Sequence, residues 1–269
     1  MKKNQKINAM KISSYLLPMK KYFCLLLSCI SFTLQSASMN DSLWQLASTQ
    51  YKNGLYKEAA ATYKTLIDQG YRSAALYYNM GNAMFRLKEY PAALLYYEKA
   101  KLYAPGDEEI NYNLELTRTL TGDKIEGIEE FFLIRWIQKG IGIFSFEQWA
   151  WISVISFLVS MITLTGYLFA RLRSLKVFSF WLCVLFFLLS IKSFFFASIQ
   201  YHTIHDSRTA IVMSPVVTAR SSPAATGSEL FVIHEGTKVT LLQQSGEWIE
   251  IKLMDGSRGW IKASEIEKI

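Results

Sequence analysis

GLYKEAAATYKTL, residues 54–66, and KEYPAALLYYEKA, residues 88–100, superimpose on a shift of 34 residues. Tyr56, Ala59 and Tyr63 fall on Tyr90, Ala93 and Tyr97. Small and aromatic residues recurring at a fixed period of this length mark a stacked helical repeat, in which each unit buries its apolar face against the next. The repeats fall at residues 40–73 and 74–107. In the second, Tyr77, Met80, Gly81, Met84, Ala93, Tyr97, Ala100 and Pro105 occupy the large, small and chain-breaking places. Gly81 and Ala93 leave room for two helices to cross closely, and Pro105 ends the second helix. In the first, Leu43, Leu46, Ala47, Ala59 and Tyr63 suit the pattern, while Gln50, Leu66 and Tyr71 do not.

Residues 107–121 (DEEINYNLELTRTLT) read as a further helix in the same phase, capping the stack. The period and its residue types resemble the tetratricopeptide (TPR) repeat, which implies a protein-binding groove lined by the first helix of each pair. Trp44, Tyr78 and Tyr112 then occupy equivalent places, as do Tyr51 and Phe85, and Asn79 and Asn113, with Asn82 nearby. Rings supply contact area and amides can bond an extended backbone. The other reading is that some of these rings fill the space between paired helices. Two repeats and a cap are few, since about three are needed for a stable stack, so a partner, a neighbouring chain or the membrane is expected to cover one end.

Hydrophobic residues make up 51% of the 269 and charged ones only 19%, a balance that points to membrane segments. The net charge of +7 lies in two places: residues 1–38, with six lysines and no acid, and residues 148–199, with Arg171, Arg173, Lys176 and Lys192. The stretches 39–147 and 200–269 are nearly neutral, so the basic face that a nucleic-acid partner needs is missing. Lys20-Lys21, the apolar run Tyr22–Leu34 and the small residues Ser36 and Ser38 read as a signal peptide over 1–38, with Met19 as an alternative initiator.

Residues 148–170 carry no charge, and residues 177–199 carry only Lys192. Twenty-three residues at about 1.5 Å each span a bilayer core of about 30 Å. Between them, 171–176 (RLRSLK) reads as a short cytoplasmic turn under the positive-inside rule. Both flanking regions are then periplasmic, as the signal peptide also requires. Lys192 lies towards the outer interface. It either snorkels or meets an acid on another membrane subunit. The linker 122–147 contains EEFFLIRWI (129–137), which suits a helix lying on the membrane surface or a segment packed on the repeats.

From 209 to 269 short β-branched runs alternate with turns. Ile211–Met213, Val216–Arg220, Lys238–Leu242, Trp248–Lys252 and Gly259–Ile261 read as five strands of a small barrel, with His234 in a turn and Asp255-Gly256 in a tight hairpin. Arg220-Ser221-Ser222-Pro223, Glu235-Gly236-Thr237-Lys238-Val239, Gly246-Glu247-Trp248 and Asp255-Gly256 before Gly259-Trp260 resemble the bacterial SH3-like (SH3b) domain. That resemblance implies binding of cell-wall peptides or protein segments. Trp248 and Trp260 are expected in or near its core.

No nucleophile with a matching base, phosphate loop or metal-ligand set is present. Cys24, Cys29 and Cys183 all lie in apolar runs, and His202 and His205 lack further ligands. The expected protein is multidomain and non-catalytic, without cofactor or metal: α-helical TPR repeats, a two-helix transmembrane hairpin and a small all-β SH3-like barrel, in a bacterial inner membrane. This order, with Asn111–Leu116 (NYNLEL), Gln148–Trp151 (QWAW) and Glu235–Val239 (EGTKV), resembles the Bat aerotolerance operon family. The resemblance implies a membrane scaffold whose partners are sister Bat proteins bearing von Willebrand type A domains and a MoxR-type ATPase. Peptidoglycan, or an export or transport complex, are the alternative associations.

Overall fold

Two turns repeat the 34-residue period in backbone geometry. Gly54 and Lys88 both adopt left-handed conformations, at φ 79° and 65°. The residues that follow, Leu55 and Glu89, open the next helix with nearly equal angles, φ −81°, ψ 64° and φ −84°, ψ 69°. The closing bonds recur as well: Leu55 N–H donates to Gln50 O, and Glu89 N–H to Met84 O, at 2.9 and 3.0 Å. Glycine takes such angles without penalty, whereas lysine there costs about 1–2 kcal/mol.

The computed structural model describes residues 41–121, 132–206 and 208–269, in two compact units, Met1–Gly70 and Tyr71–Ile269. The expected signal peptide and the first part of the 122–147 linker lie outside the described residues. In the first unit, α1 (41–52) pairs with α2 (Tyr56–Asp68). Ala47, Ala59, Ala60, Tyr63 and Leu66 are buried, and Trp44 meets Tyr63 edge-on at 5.9 Å. Two of the three ill-fitting positions of this repeat are accommodated, while Tyr71 is exposed. Leu66 joins the core, and Gln50 Oε1 accepts from Thr62 Oγ1 at 2.8 Å.

The second unit begins with α3 (Ala74–Arg86), capped by Ser73, whose hydroxyl accepts from Leu76 N–H. Then come α4 (Tyr90–Tyr103), with Pro91 in its first turn, and α5 (Glu108–Arg118), capped by Asp107. A Cβ on Gly81 would lie 2.7 Å from the Tyr97 ring, so glycine is what lets α3 and α4 close on each other. α4 is apolar nearly all round: Ala93, Leu94, Leu95, Tyr97 and Ala100 are all buried. A helix of that kind is covered on more than one side.

α6 (Phe132–Ile141) leads to α7 (Phe146–Phe169) and α8 (Arg173–His205). The last two are long and apolar enough to cross a membrane, at 24 and 33 residues. Ser145 starts α7 through a capping box with Gln148, two residues before the expected start. The break between α7 and α8 is shorter than the expected 171–176 turn, because Arg173 and Lys176 already lie on the first turn of α8. Serines tie the antiparallel pair together. Ser153 Oγ donates to Ser190 O at 3.1 Å, Ser190 Oγ donates to Ser153 O at 3.0 Å, and Ser160 Oγ donates to Cys183 O at 3.3 Å. In an apolar solvent such bonds and close packing take the place of a hydrophobic drive between helices.

The barrel has seven antiparallel strands: β1 (Thr209–Val212), β2 (Val216–Arg220), β3 (Glu229–His234), β4 (Lys238–Ser245), β5 (Trp248–Lys252), β6 (Arg258–Lys262) and β7 (Ile266–Lys268). Their order is β3-β2-β6-β5-β4-β1-β7. Two strands were missed by the pattern, β3 and β7. β3 has two exposed apolar residues, Leu230 and Val232, where alternation calls for polar ones, and β7 is only three residues long. His234 therefore ends a strand rather than sitting in a turn, though it is exposed. Val212, Val217, Ile233, Val239, Ile251 and Ile261 lead the core. Trp248 is largely buried and Trp260 half-buried.

Candidate functional site: a helical face, a seam and a membrane rim

The face formed by α3 and α5 carries the polar and aromatic groups that the period selected. Asn113 Nδ2 donates to Tyr78 Oη at 2.9 Å and to Asn82 Oδ1 at 3.1 Å, and Tyr97 Oη donates to the same Asn82 oxygen at 2.7 Å. Burial raises the Tyr78 hydroxyl above its ordinary pKa, against a lowering by Asn82. The network spends Asn82 Oδ1 and Asn113 Nδ2. Tyr112 projects from α5, 68% exposed. Asn79 is half-buried, and Phe85 is half-buried against Tyr90, with ring centroids 5.7 Å apart. In the first unit Trp44 and Tyr51 are half-buried, Tyr51 lying 5.2 Å from Tyr56. Four of the five selected rings thus also lean on an aromatic of the second helix of their pair, and Tyr112 stands free of that packing.

The pattern did not reveal the seam between α4–α5 and the barrel. Glu98 of α4 is 4% exposed, with its two carboxylate oxygens divided between two cations. Arg118 Nη2 bonds Oε1 at 2.6 Å and Lys238 Nζ bonds Oε2 at 2.7 Å. Burial alone would raise this carboxyl, but Lys238 and Arg118 outweigh it and hold it below its ordinary value. Arg118 also grips Glu115 at 2.6 Å. Beside this clasp the β3–β4 turn presses on the helices. Gly236 has φ 85°, and a Cβ there would lie 2.7 Å from Thr121 Cγ2 and 3.1 Å from Leu94 Cδ1. A cleft of about 290 Å³ opens along the seam, lined by Glu98, Glu115, Arg118, Thr237, Lys238 and Met254.

Two signals for the seam were in the sequence. α4 lacks a polar face (YPAALLYYEKAKLY), so it needs cover on both sides. The EGTKV segment, taken as a mark of the barrel, also supplies the docking turn and the cation.

At the other end of the helical layer lies the rim of the hairpin. A Cβ on Gly106, in the α4–α5 turn, would strike the Gly142 carbonyl after α6, so the two turns pack backbone to backbone. Gln200 of α8 donates to Ile141 O and Phe144 O at 2.9 and 2.8 Å, and Trp149 Nε1 donates to Ile141 O at 2.8 Å. Lys192 lies across from the first turn of α7, its Nζ 5.5 Å from the Trp149 ring centre and 5.2 Å from that of Phe196. His202 meets Asp206 at 3.2 Å and His205 stacks on Tyr201 at 4.0 Å. Among the described residues no group of three or more histidine, cysteine or acidic side chains could hold a metal.

The bacterial SH3 domain family matches residues 215–267, from the start of β2 into β7. The chain therefore carries a bacterial SH3-like domain in its C-terminal region, next to two apolar helices. No curated protein matches the chain at a significant level. The whole is a membrane-associated protein-interaction module, without a catalytic motif or a metal cluster among the described residues.

Proposed function

We propose that this chain is a periplasm-facing scaffold of the bacterial inner membrane, with TPR-type helices and an SH3-like barrel that hold protein segments beside the bilayer. One observation carries the reading: both modules gather at the same end of the α7–α8 hairpin. The α4–α5 turn abuts Gly142 just before α7, and the barrel follows α8 directly and clasps Glu98. Arg171, Arg173 and Lys176 lie at the opposite end, which supports a cytoplasmic turn and periplasmic modules. The recurring Gly54 and Lys88 turns support the TPR reading. Tyr78, Asn79, Asn82, Phe85, Tyr112 and Asn113 are the proposed contacts of the second unit for an extended segment, and Trp44 and Tyr51, at the equivalent places of the first pair, are those of the first unit taken by itself.

The resemblance to the BatE member of the Bat aerotolerance family makes sister proteins with von Willebrand type A domains, working with a MoxR-type ATPase, the partners to test. The full chain in detergent is presented with those sister domains and with peptidoglycan sacculi. Capture of the sister domains, lost in Trp44→Ala/Tyr78→Ala/Tyr112→Ala, is the expected result. Capture unchanged in that variant removes the groove assignment. Sacculus binding that disappears on deleting 209–269 makes the barrel an envelope-binding module instead.

A further inference from the structure

We propose that the periplasmic rim of the hairpin is a binding site for anionic phospholipid, with α6 lying in the membrane surface and Lys192 holding a lipid phosphate. The proposal rests on the reading of α7 and α8 as membrane spans. Depth comes first. Trp149 lies three residues inside the start of α7, about 4.5 Å along the helix at 1.5 Å per residue. Tryptophan at that depth is at the headgroup boundary of a bilayer. The Lys192 ammonium over its ring is at the same level.

The straps from Gln200 and Trp149 to Ile141 and Phe144 then fix the end of α6 at that boundary. α6 is built to lie there. Phe132, Trp136, Ile137 and, just beyond it, Ile143 are 63, 76, 54 and 65% exposed, a costly arrangement in water but a favourable one in the acyl boundary. Its polar side carries Arg135 and Lys139, and the helix contains no acid.

Charge completes the case. Arg135, Lys139 and Lys192 make no ion pair among the described residues, and the first turn of α7 sets only Glu147 against them. Lys192 is exposed, seated on two aromatic faces that hold its stem while its N–H groups remain unspent. A cation held at the headgroup level without a carboxylate is complementary to a phosphodiester.

The test uses the full chain in detergent, given equal amounts of phosphatidylglycerol and phosphatidylcholine, with retained lipid counted by native mass spectrometry. Each basic residue near an anionic surface changes partition roughly fivefold. Wild-type protein is expected to retain phosphatidylglycerol in preference, and Arg135→Gln/Lys139→Gln/Lys192→Gln to lose most of that preference. Should the triple variant fail to fold, Lys192→Gln alone, at an exposed side chain, is expected to lower it roughly fivefold, with Lys192→Arg restoring it. Equal retention of the two lipids by wild type overturns the proposal. So does selectivity unchanged in the variants, or cross-linking of Lys192 to a partner's acidic membrane helix without lipid selectivity. Resistance to carbonate extraction, measured in parallel, separates failure of this site from failure of the spans themselves.

Discussion

Replacing Lys238 by methionine is expected to destabilise the seam more than replacing Glu98 by glutamine, although the two face each other across one 2.7 Å bond. The asymmetry follows from access to water. Glu98 is 4% exposed, so a carboxylate robbed of Lys238 stays buried with Arg118 as its remaining bonded cation and Lys101 close enough to act on it. Removing one partner of a buried pair costs about 3–5 kcal/mol, and the surviving Arg118 bond reduces that to about 2–3 kcal/mol here. In Glu98→Gln the cations are left instead. Lys238 and Arg118 are 33% and 37% exposed and can turn to solvent, and Arg118 keeps Glu115, so the cost falls to about 1–2 kcal/mol. Lys238→Met in the Glu98→Gln background then adds little. A single melting curve is a poor measure for a chain of several modules. The readout is therefore amide hydrogen exchange of the full chain in detergent, at residues 94–101 and 235–241. Equal or reversed costs, or exchange that rises away from these segments, refutes the argument that Glu98 is the stranded charge.

The clasp is also expected to weaken in acid. The Glu98 carboxyl lies below its ordinary value of 4.5, so its contribution is complete above that pH and is lost as the pH falls through the lowered folded value. Exchange at 235–241 followed from pH 6 to 3 checks it, with Glu98→Gln removing the dependence. Gly236→Ala puts a methyl against Thr121 in a left-handed backbone and is expected to open the seam by about 1–3 kcal/mol without disturbing the barrel core, read by the same exchange. Lys88→Gly relieves the left-handed lysine between α3 and α4 and is expected to slow exchange across those helices, by about 0.5–1 kcal/mol. Asn113→Ala removes the shared donor of Tyr78 and Asn82. It is expected to cost about 1–2 kcal/mol, seen as faster exchange in α5.

The elements were legible where a residue's local role and its tertiary role coincide. Tyr97 and Gly81 follow the helical period because the surface they pack against is the partner helix of the same repeat. The apolar spans announced themselves because a membrane imposes length and composition on each helix separately. Val217, Ile251 and Ile261 alternate because one sheet face is buried. β3 escaped notice because Leu230 and Val232 put apolar groups on its outer side, which blurred the alternation.

The candidate site divides in the same way. Phase selects Tyr78 with Tyr112 and Asn79 with Asn113, and Asn82 only as a neighbour, whereas the bonds run from Asn113 to Tyr78 and Asn82. That Asn113 joins two of them, and that Tyr112 stands clear of the packing, are matters of side-chain reach that phase does not contain. Glu98 and Lys238 lie 140 residues apart in the chain. Each looks like an ordinary surface charge in its own element, a glutamate in a YYEKA helix and a lysine opening a strand.

The 34-residue register and the two apolar runs follow from the amino-acid sequence by itself, because each rests on a pattern along the chain, and the EGTKV-type marks of the barrel follow from its resemblance to SH3-like domains. Only the tertiary structure decided that Glu98 is buried, that the Gly236 turn presses against Thr121, and that Lys192 shares the rim with Trp149 and α6. The physical reason is that burial of a charge is a property of what lies across a seam, and chain-local patterns carry no information about it.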